Sequence, residues 1–160
     1  MKSIPLLALA FSTLLIGCNK SEKSDQLSIA VIPKGTTHIY WKSVEAGANK
    51  AAKELDVKVT FIGPQREDDR SQQIDLVTNQ ALQNDAIVLA PLDAVALRDS
   101  VKSVTDKGKP VVIIDSSLAD SDSFITSYVA TDNREGGRIA ARRISELLLG
   151  KGKVTVLRYM

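Results

Sequence analysis

Apolar residues recur along this chain with two different periods, and the two periods alternate. Runs of four to seven mostly apolar residues, typical of buried strands, are separated by segments with helical spacing. The strand-type runs are 27–32, 57–62, 86–90, 111–114, 124–130 and 154–157. The first four runs begin 30, 29 and 25 residues apart, the length of a strand followed by a helix. The pattern predicts a doubly wound α/β domain with a parallel sheet.

Each helical segment carries one apolar face, which we expect to pack against the sheet. The residues of the four predicted faces are Val44, Ala48, Ala51, Ala52 and Leu55, then Ile74, Val77, Ala81 and Leu82, then Leu97, Val101 and Val104, and last Ala140, Ile144, Leu147 and Leu148.

Polar residues and glycines indicate where these helices begin and end. An acidic residue followed three positions later by Gln or Glu is typical of a capped first turn. The predicted caps are Asp69 with Gln72, Asp93 alone, and Asp132 with Glu135, and the predicted ends are Gly108 and Gly150.

The first 26 residues differ from the rest in pattern. Lys2 precedes an apolar stretch over 4–16 that is shorter than the ~20 residues a membrane-spanning helix needs. The stretch closes with Leu-Ile-Gly-Cys18, which is typical of a bacterial lipoprotein cleavage site. We therefore predict a signal peptide over 1–17, lipidation of Cys18, a flexible tether over 18–26, and a mature protein anchored by lipid outside the cytoplasmic membrane.

Composition narrows the class of protein further. The chain has 160 residues, 44% apolar and 25% charged, with a formal net charge of +2. These values fit one globular domain and exclude a disordered chain, a disulfide scaffold and a multi-span membrane protein. The small net charge gives no support to nucleic-acid binding. Three arginines at helical spacing, Arg134, Arg138 and Arg142, are interpreted as a solvated helix face.

Candidate chemistry lies where the strands end, since parallel α/β sheets bind small ligands there. The loop after the first strand holds Lys34, His38, Tyr40 and Trp41, including the chain's one His and one Trp. Adjacent aromatic rings can stack on a sugar ring, while His38 and Lys34 can donate hydrogen bonds to its oxygens. Packing of the two rings beneath the loop is an equally open interpretation.

Asp115 ends the fourth strand and can accept two hydrogen bonds at once, as a vicinal diol requires. Capping of the following turn is the alternative for this carboxylate. No nucleophile has a recognisable base beside it, and neither a phosphate-binding loop nor a metal-ligand spacing is present. We expect no enzyme activity, no metal and no cofactor.

Several segments in order carry a resemblance to a known family. They are the lipoprotein cleavage site, Ile29-Ala-Val-Ile-Pro-Lys34, Tyr40-Trp41, Gly47-Ala-Asn-Lys-Ala-Ala52, Asp85-Ala-Ile-Val-Leu-Ala-Pro-Leu-Asp93, Pro110-Val-Val-Ile-Ile-Asp115 and Ala130-Thr-Asp-Asn-Arg-Glu-Gly-Gly137. Together they resemble the ribose-type periplasmic substrate-binding proteins of ABC importers. The resemblance runs from Leu27 to the C-terminus.

The resemblance implies a solute-binding protein that captures a small polar ligand, usually a monosaccharide, between two lobes and delivers it to a permease. It implies stacking by Tyr40 and Trp41, a sugar-binding carboxylate at Asp115, and a hinge crossing at Thr131-Asp132-Asn133 whose hydroxyl touches ligand. His38 stands where the family commonly has an amide. The family also implies a monomer.

Family members have roughly twice this length. The resemblance thus implies a first lobe over 27–130, a hinge crossing and the start of a second lobe over 131–160, and a chain that is a fragment. On that interpretation the isolated chain binds its ligand feebly or not at all, because half of the donors that line the ligand cleft are missing.

Three other functions remain open. Lys34 after Pro33 and Ser116 after Asp115 resemble the family branch that binds bacterial autoinducer, and an extracellular sensor would share the fold. A transcription regulator with this fold would need a helix-turn-helix before Leu27, where the chain has an export signal instead. A lipid-anchored hydrolase would have only His38 as imidazole base.

Overall fold

The computed structural model describes residues 26–157, and its centre is a parallel sheet of five strands. The strands are β1 Ser28–Ile32, β2 Lys58–Phe61, β3 Ala86–Leu89, β4 Val111–Ile114 and β5 Ser127–Val129. Their order across the sheet is β2-β1-β3-β4-β5, with every pair parallel. The predicted doubly wound α/β fold is confirmed. The order reverses between β1 and β3, so their carboxyl ends flank the topological switch point.

Within residues 26–157, four helices connect or follow the strands: α1 Ile39–Leu55, α2 Arg70–Gln83, α3 Arg98–Thr105 and α4 Asn133–Leu147. Two predicted caps are confirmed, because the Asp69 carboxylate accepts from Gln72 N and that of Asp132 accepts from Glu135 N. The sequence pattern did not predict the cap of α1, where His38 Nδ1 accepts from Tyr40 N.

The core lies between the sheet and the helices α2 and α3. Its members are fully or almost fully buried apolar side chains from β1, α2, β3, α3 and β4 and the loops beside them: Ala30, Ile32, Val77, Ala81, Ile87, Leu89, Leu97, Val101, Val104, Val111, Ile113 and Leu118. In β3 and β4 the residues of this core alternate with residues on the opposite face, such as Val88 and Val112, which are only partly buried.

Asp93 does not cap α3, contrary to the prediction. Its carboxylate accepts from Val95 N and Ala96 N, so it closes the turn that precedes the helix. The residue at the N-cap of α3 is Leu97, which makes no side-chain cap. A carboxylate bonds the nearest free N–H groups, and here those belong to the turn.

Three residues of α1 and α2 that were expected to face inward are exposed: Ala51, Leu55 and Leu82. Leu82 is 73% exposed, because at about 100° per residue it points roughly 140° away from Val77 around α2. Leu55 is 70% exposed and is the last residue of α1, where the chain turns through left-handed Asp56 toward β2.

The C-terminal part departs most from the prediction. No residue of α4 is buried, although Ala140, Ile144, Leu147 and Leu148 were expected to be. Residues 154–157 form no strand, because among the described residues none pairs with them and a strand is stable only with a hydrogen-bonded neighbour. The helix does end near Gly150, whose φ of 69° suits a glycine.

The predicted signal peptide, Cys18 and all of the tether except Gln26 lie outside the described residues. Between residues 26 and 157, no helix has the length and apolar character required to cross a bilayer.

Candidate functional site

Four polar side chains meet at the carboxyl edge of the sheet, beyond the ends of β1 and β4. Lys34 Nζ lies 2.7 Å from Asp115 Oδ2 and 2.5 Å from Ser116 Oγ. Tyr40, in the first turn of α1, donates its hydroxyl to Asp115 Oδ1 at 3.1 Å. Lys34, Tyr40, Asp115 and Ser116 are called the strand-end cluster below.

The cluster is centred on Asp115, which has an unusual backbone. Its φ of 65° lies in the left-handed region, where aspartate is tolerated better than most residues with a side chain. The Asp115 N–H donates to Val129 O of β5 at 3.1 Å, so the next strand holds this conformation in place. Backbone strain of this kind is frequent at ligand-binding sites. Here it directs the carboxylate toward Lys34 and Tyr40.

The charge states of the cluster follow from these contacts. Partial burial would raise the pKa of the Asp115 carboxyl, but the hydrogen bond and charge of Lys34, with the hydroxyls of Tyr40 and Ser116, outweigh it and lower the pKa. Burial, followed by the neighbouring Asp115 charge, raises the pKa of the Tyr40 phenol. At neutral pH Asp115 is therefore an acceptor and Tyr40 a donor.

The two adjacent aromatic residues have different surroundings. Trp41 is only 3% exposed, and its Nε1 donates to Glu67 Oε1 at 2.9 Å. Tyr40 is 47% exposed and meets the Trp41 ring edge-on, with centroids 4.8 Å apart. In this structure Trp41 packs beneath the loop, and Tyr40 alone of the pair offers aromatic surface.

His38 lies apart from the strand-end cluster. As the N-cap of α1 it is exposed, and it lines a hollow of about 500 Å³ between the loops after β1 and β2, together with Arg66 and Asp68 among others. No group of three or more His, Cys, Asp or Glu side chains comes together as a metal site anywhere in residues 26–157.

Thr131 and Asn133 are exposed around the N-terminus of α4. In the described part of the chain, neither residue hydrogen-bonds to the strand-end cluster. The structure thus brings together Lys34, Tyr40, Asp115 and Ser116. Trp41 packs beneath the loop after β1, and His38 caps α1 apart from the cluster.

Sequence reasoning missed two residues that support the site. Gln73 is completely buried and bonds to the loops after β1 and β3, and Glu67 accepts the Trp41 indole N–H. Gln73 carried a signal, because it lies four residues before Val77 on the inward face of α2, where a polar residue is unusual. Glu67 carried none, since it belongs to a polar loop.

A doubly wound parallel sheet with a polar cluster at its switch-point edge defines a small-molecule-binding α/β domain. Comparison with known families then identifies it: the model for the periplasmic binding protein domain matches residues 29–160. The chain belongs to this family. Membership implies a periplasmic or otherwise extracytoplasmic location.

Individual relatives agree with this assignment. The chain is 33% identical to a ribose import binding protein of Bacillus subtilis, over 84% of this chain and 41% of the relative. A carbohydrate transporter solute-binding protein of Agrobacterium radiobacter, solved with D-arabinose, is 39% identical with a TM-score of 0.70 over 78% of this chain and 42% of that protein. An ABC transporter solute-binding protein of Agrobacterium vitis, solved with D-fucose, is 36% identical with a TM-score of 0.70 over 76% and 43%. The chain thus spans less than half the length of these relatives.

Proposed function

We propose that this chain is the sugar-contacting part of a solute-binding lipoprotein that captures a monosaccharide and delivers it to an ABC-type import permease. It binds and releases its ligand unchanged, as expected of a binding protein rather than an enzyme. The relatives that support this proposal are named for ribose import or were solved with arabinose or fucose.

The strand-end cluster is the observation that carries the proposal. Lys34 and Asp115 neutralise each other, so the site favours an uncharged ligand with many hydroxyls. Asp115 accepts from ligand hydroxyls, Lys34 and Ser116 donate to ligand oxygens, and the exposed Tyr40 face covers the apolar side of a sugar ring. His38 donates at the rim of the site, Trp41 supports Tyr40 from below, and Thr131 and Asn133 approach the ligand when a second lobe closes.

In this proposal residues 27–130 form one lobe, and residues 131–160 form the hinge crossing and the beginning of a second. The contrast in burial supports the division: β1, β3 and β4 share a buried apolar core, whereas the apolar residues of α4 remain exposed in the described part of the chain. The coverage of 41% to 43% of the relatives agrees with it.

The proposal also includes a lipid anchor, made of a signal peptide over 1–17, lipidated Cys18 and a tether over 18–26. In this proposal the protein acts as a monomer beside its permease. Metabolic labelling with a fatty acid in a bacterial host tests the anchor. We expect label on the unsubstituted protein and none on Cys18→Ala; equal labelling of both would contradict the anchor.

Sugar binding is tested by titrating D-ribose, D-allose, D-arabinose and D-fucose into the ¹⁵N-labelled chain and following amide shifts. We expect weak binding, with a Kd around 1 mM (about −4 kcal/mol), because one lobe supplies only part of the contacts. The shifts should concentrate at Lys34, Asp115 and Ser116. Asp115→Asn should abolish them, while the exposed Asp99→Asn on α3 serves as the matched control. Shifts that survive in Asp115→Asn would contradict the proposed site.

A second candidate is an autoinducer-binding or sensory protein. The residue pairs that resemble the autoinducer-binding branch, Pro33-Lys34 and Asp115-Ser116, meet in the structure through the contacts of Lys34 with Asp115 and Ser116. Adding the bacterial autoinducer to the same titration distinguishes this candidate from a sugar-binding protein. If the autoinducer saturates the chain at a concentration at least tenfold lower than that needed for any of the sugars, the autoinducer and not a sugar is the ligand.

A further inference from the structure

One side-chain amide, that of Gln73, joins two of the loops at the ligand-binding edge of the sheet. Gln73 lies in α2 and is completely buried. Its Nε2 donates to Pro33 O at 3.1 Å and to Ala90 O at 2.9 Å, while Leu92 N donates to its Oε1 at 2.8 Å. Both amide donors and the amide acceptor are therefore engaged, all with main-chain groups.

These bonds begin where the sheet ends. The last hydrogen bond between β1 and β3 runs from Ala90 N to Ile32 O. The next carbonyls along the two segments, Pro33 O and Ala90 O, are each bound instead by the Gln73 side chain. The side chain therefore continues the connection between the two strands past the last rung of the ladder.

The connection leads directly to Lys34. Pro33 is fully buried and its ring restricts φ, so a fixed Pro33 carbonyl also fixes the peptide plane that enters Lys34. On another side, Gly63 approaches the Pro33 ring so closely that an added Cβ would lie 2.9 Å from its Cγ. With its backbone held this way, Lys34 reaches Asp115 and Ser116 on the far side of β3.

We propose that Gln73 is a positioning residue that holds Lys34 opposite Asp115 and so sets the ligand affinity of the site. The affinity part rests on the proposed sugar-binding function; the positioning part does not. A side chain that contacts no ligand thereby determines the geometry of one that does.

The test compares Gln73→Met with Gln80→Met. Methionine keeps the length and apolar volume of glutamine but makes none of its hydrogen bonds. Gln80 is a matched control, since it is also buried in α2, two turns away, and bonds to Asn84 instead of the site loops. The pKa of the Asp115 carboxyl, measured by ¹³C NMR without ligand, reports on Lys34. We expect Gln73→Met to raise this pKa by about half a unit or more toward the ordinary value, and Gln80→Met to leave it unchanged.

D-Ribose titration gives the second reading. We expect the Kd of Gln73→Met to rise about tenfold against the unsubstituted chain while that of Gln80→Met stays within about twofold. If the unsubstituted chain does not bind D-ribose, the titrations with D-allose, D-arabinose and D-fucose decide the proposed ligand class, and the carboxyl pKa still decides the role of Gln73. An Asp115 pKa that is the same in Gln73→Met as in the unsubstituted chain would overturn the positioning role.

A measurement on the unsubstituted chain covers the case in which Gln73→Met does not fold. The side-chain amide protons of Gln73 should exchange with solvent at least 100-fold more slowly than those of the exposed Gln83 at the end of α2. Equal exchange rates would show that the amide is not bound to the loops and would also overturn the proposal.

Discussion

Two regions of the described chain carry similar patterns but reach different degrees of burial. In the sheet region, from β1 to β4, the inward residues Val101 and Val104 of α3 are buried. In the C-terminal region, from α4 to residue 157, Ile144 and Leu147 recur with the same helical spacing but are 41% and 61% exposed. An amphipathic pattern therefore specifies a face, and burial depends on whether another element is present to cover it.

The largest expected difference between the two regions concerns a leucine in each. Leu89→Ala in β3 should lower the free energy of unfolding by about 2–5 kcal/mol, because it leaves a cavity in the core. Leu147→Ala in α4 should change it by less than about 0.5 kcal/mol, since its side chain is exposed. Urea unfolding of the two variants measures both values. Similar losses would mean that α4 is part of the folded core.

Glycines give a second contrast. Gly63→Ala should cost about 1–3 kcal/mol, because the new Cβ would lie 2.9 Å from the Pro33 ring. Gly137→Ala in α4 meets nothing within 4 Å and replaces a poor helix former, so it should raise helix content without lowering the unfolding midpoint. Circular dichroism during urea unfolding shows both effects. A Gly63→Ala midpoint equal to that of the unsubstituted chain would contradict the close approach.

The strand-end cluster should give the sheet region a dependence on pH. The pKa of Asp115 is lowered in the folded chain, so the unfolded chain binds this proton more readily. The associated stability is present above the unfolded pKa of about 3.9 and is lost as the pH falls through the lower, folded value.

Asp115→Asn should therefore flatten the fall in stability below about pH 4, and Asp99→Asn should leave it unchanged. Urea midpoints at several pH values between about 2.5 and 7 measure the slope. The same slope in Asp115→Asn and the unsubstituted chain would remove Asp115 as its source.

The smallest effect is expected on the surface of α4. Glu135 lies 2.9 Å from Arg142 and 3.5 Å from Arg138, all three being well exposed to solvent. Glu135→Gln should change the free energy of unfolding by about 0.5 kcal/mol or less, and less still at high salt. A loss above about 1 kcal/mol in urea unfolding would indicate that this helix packs against something in solution.

Local features were predictable because neighbouring residues decide them. Asp69 and Asp132 each cap a helix by accepting from the N–H group three residues further along. β4 has the predicted bounds because Val111–Ile114 is an apolar run between a proline and an aspartate. Asp93 shows the limit of such reasoning, since its carboxylate accepts from Val95 N and Ala96 N in a turn, and the sequence does not say that α3 begins only at Arg98.

The alternation of apolar runs and amphipathic segments alone determined the parallel α/β fold, and the strand ends alone indicated where a ligand site would lie. Only the tertiary structure decided that Lys34 meets Asp115 and Ser116, that Trp41 packs beneath its loop on Glu67, and that Gln73 joins two loops. The spacing of apolar residues indicates which residues share a face of one helix or one strand. These contacts instead join residues 17 to 82 positions apart in the chain. Their geometry exists only after the strands have paired, because pairing brings the loops together.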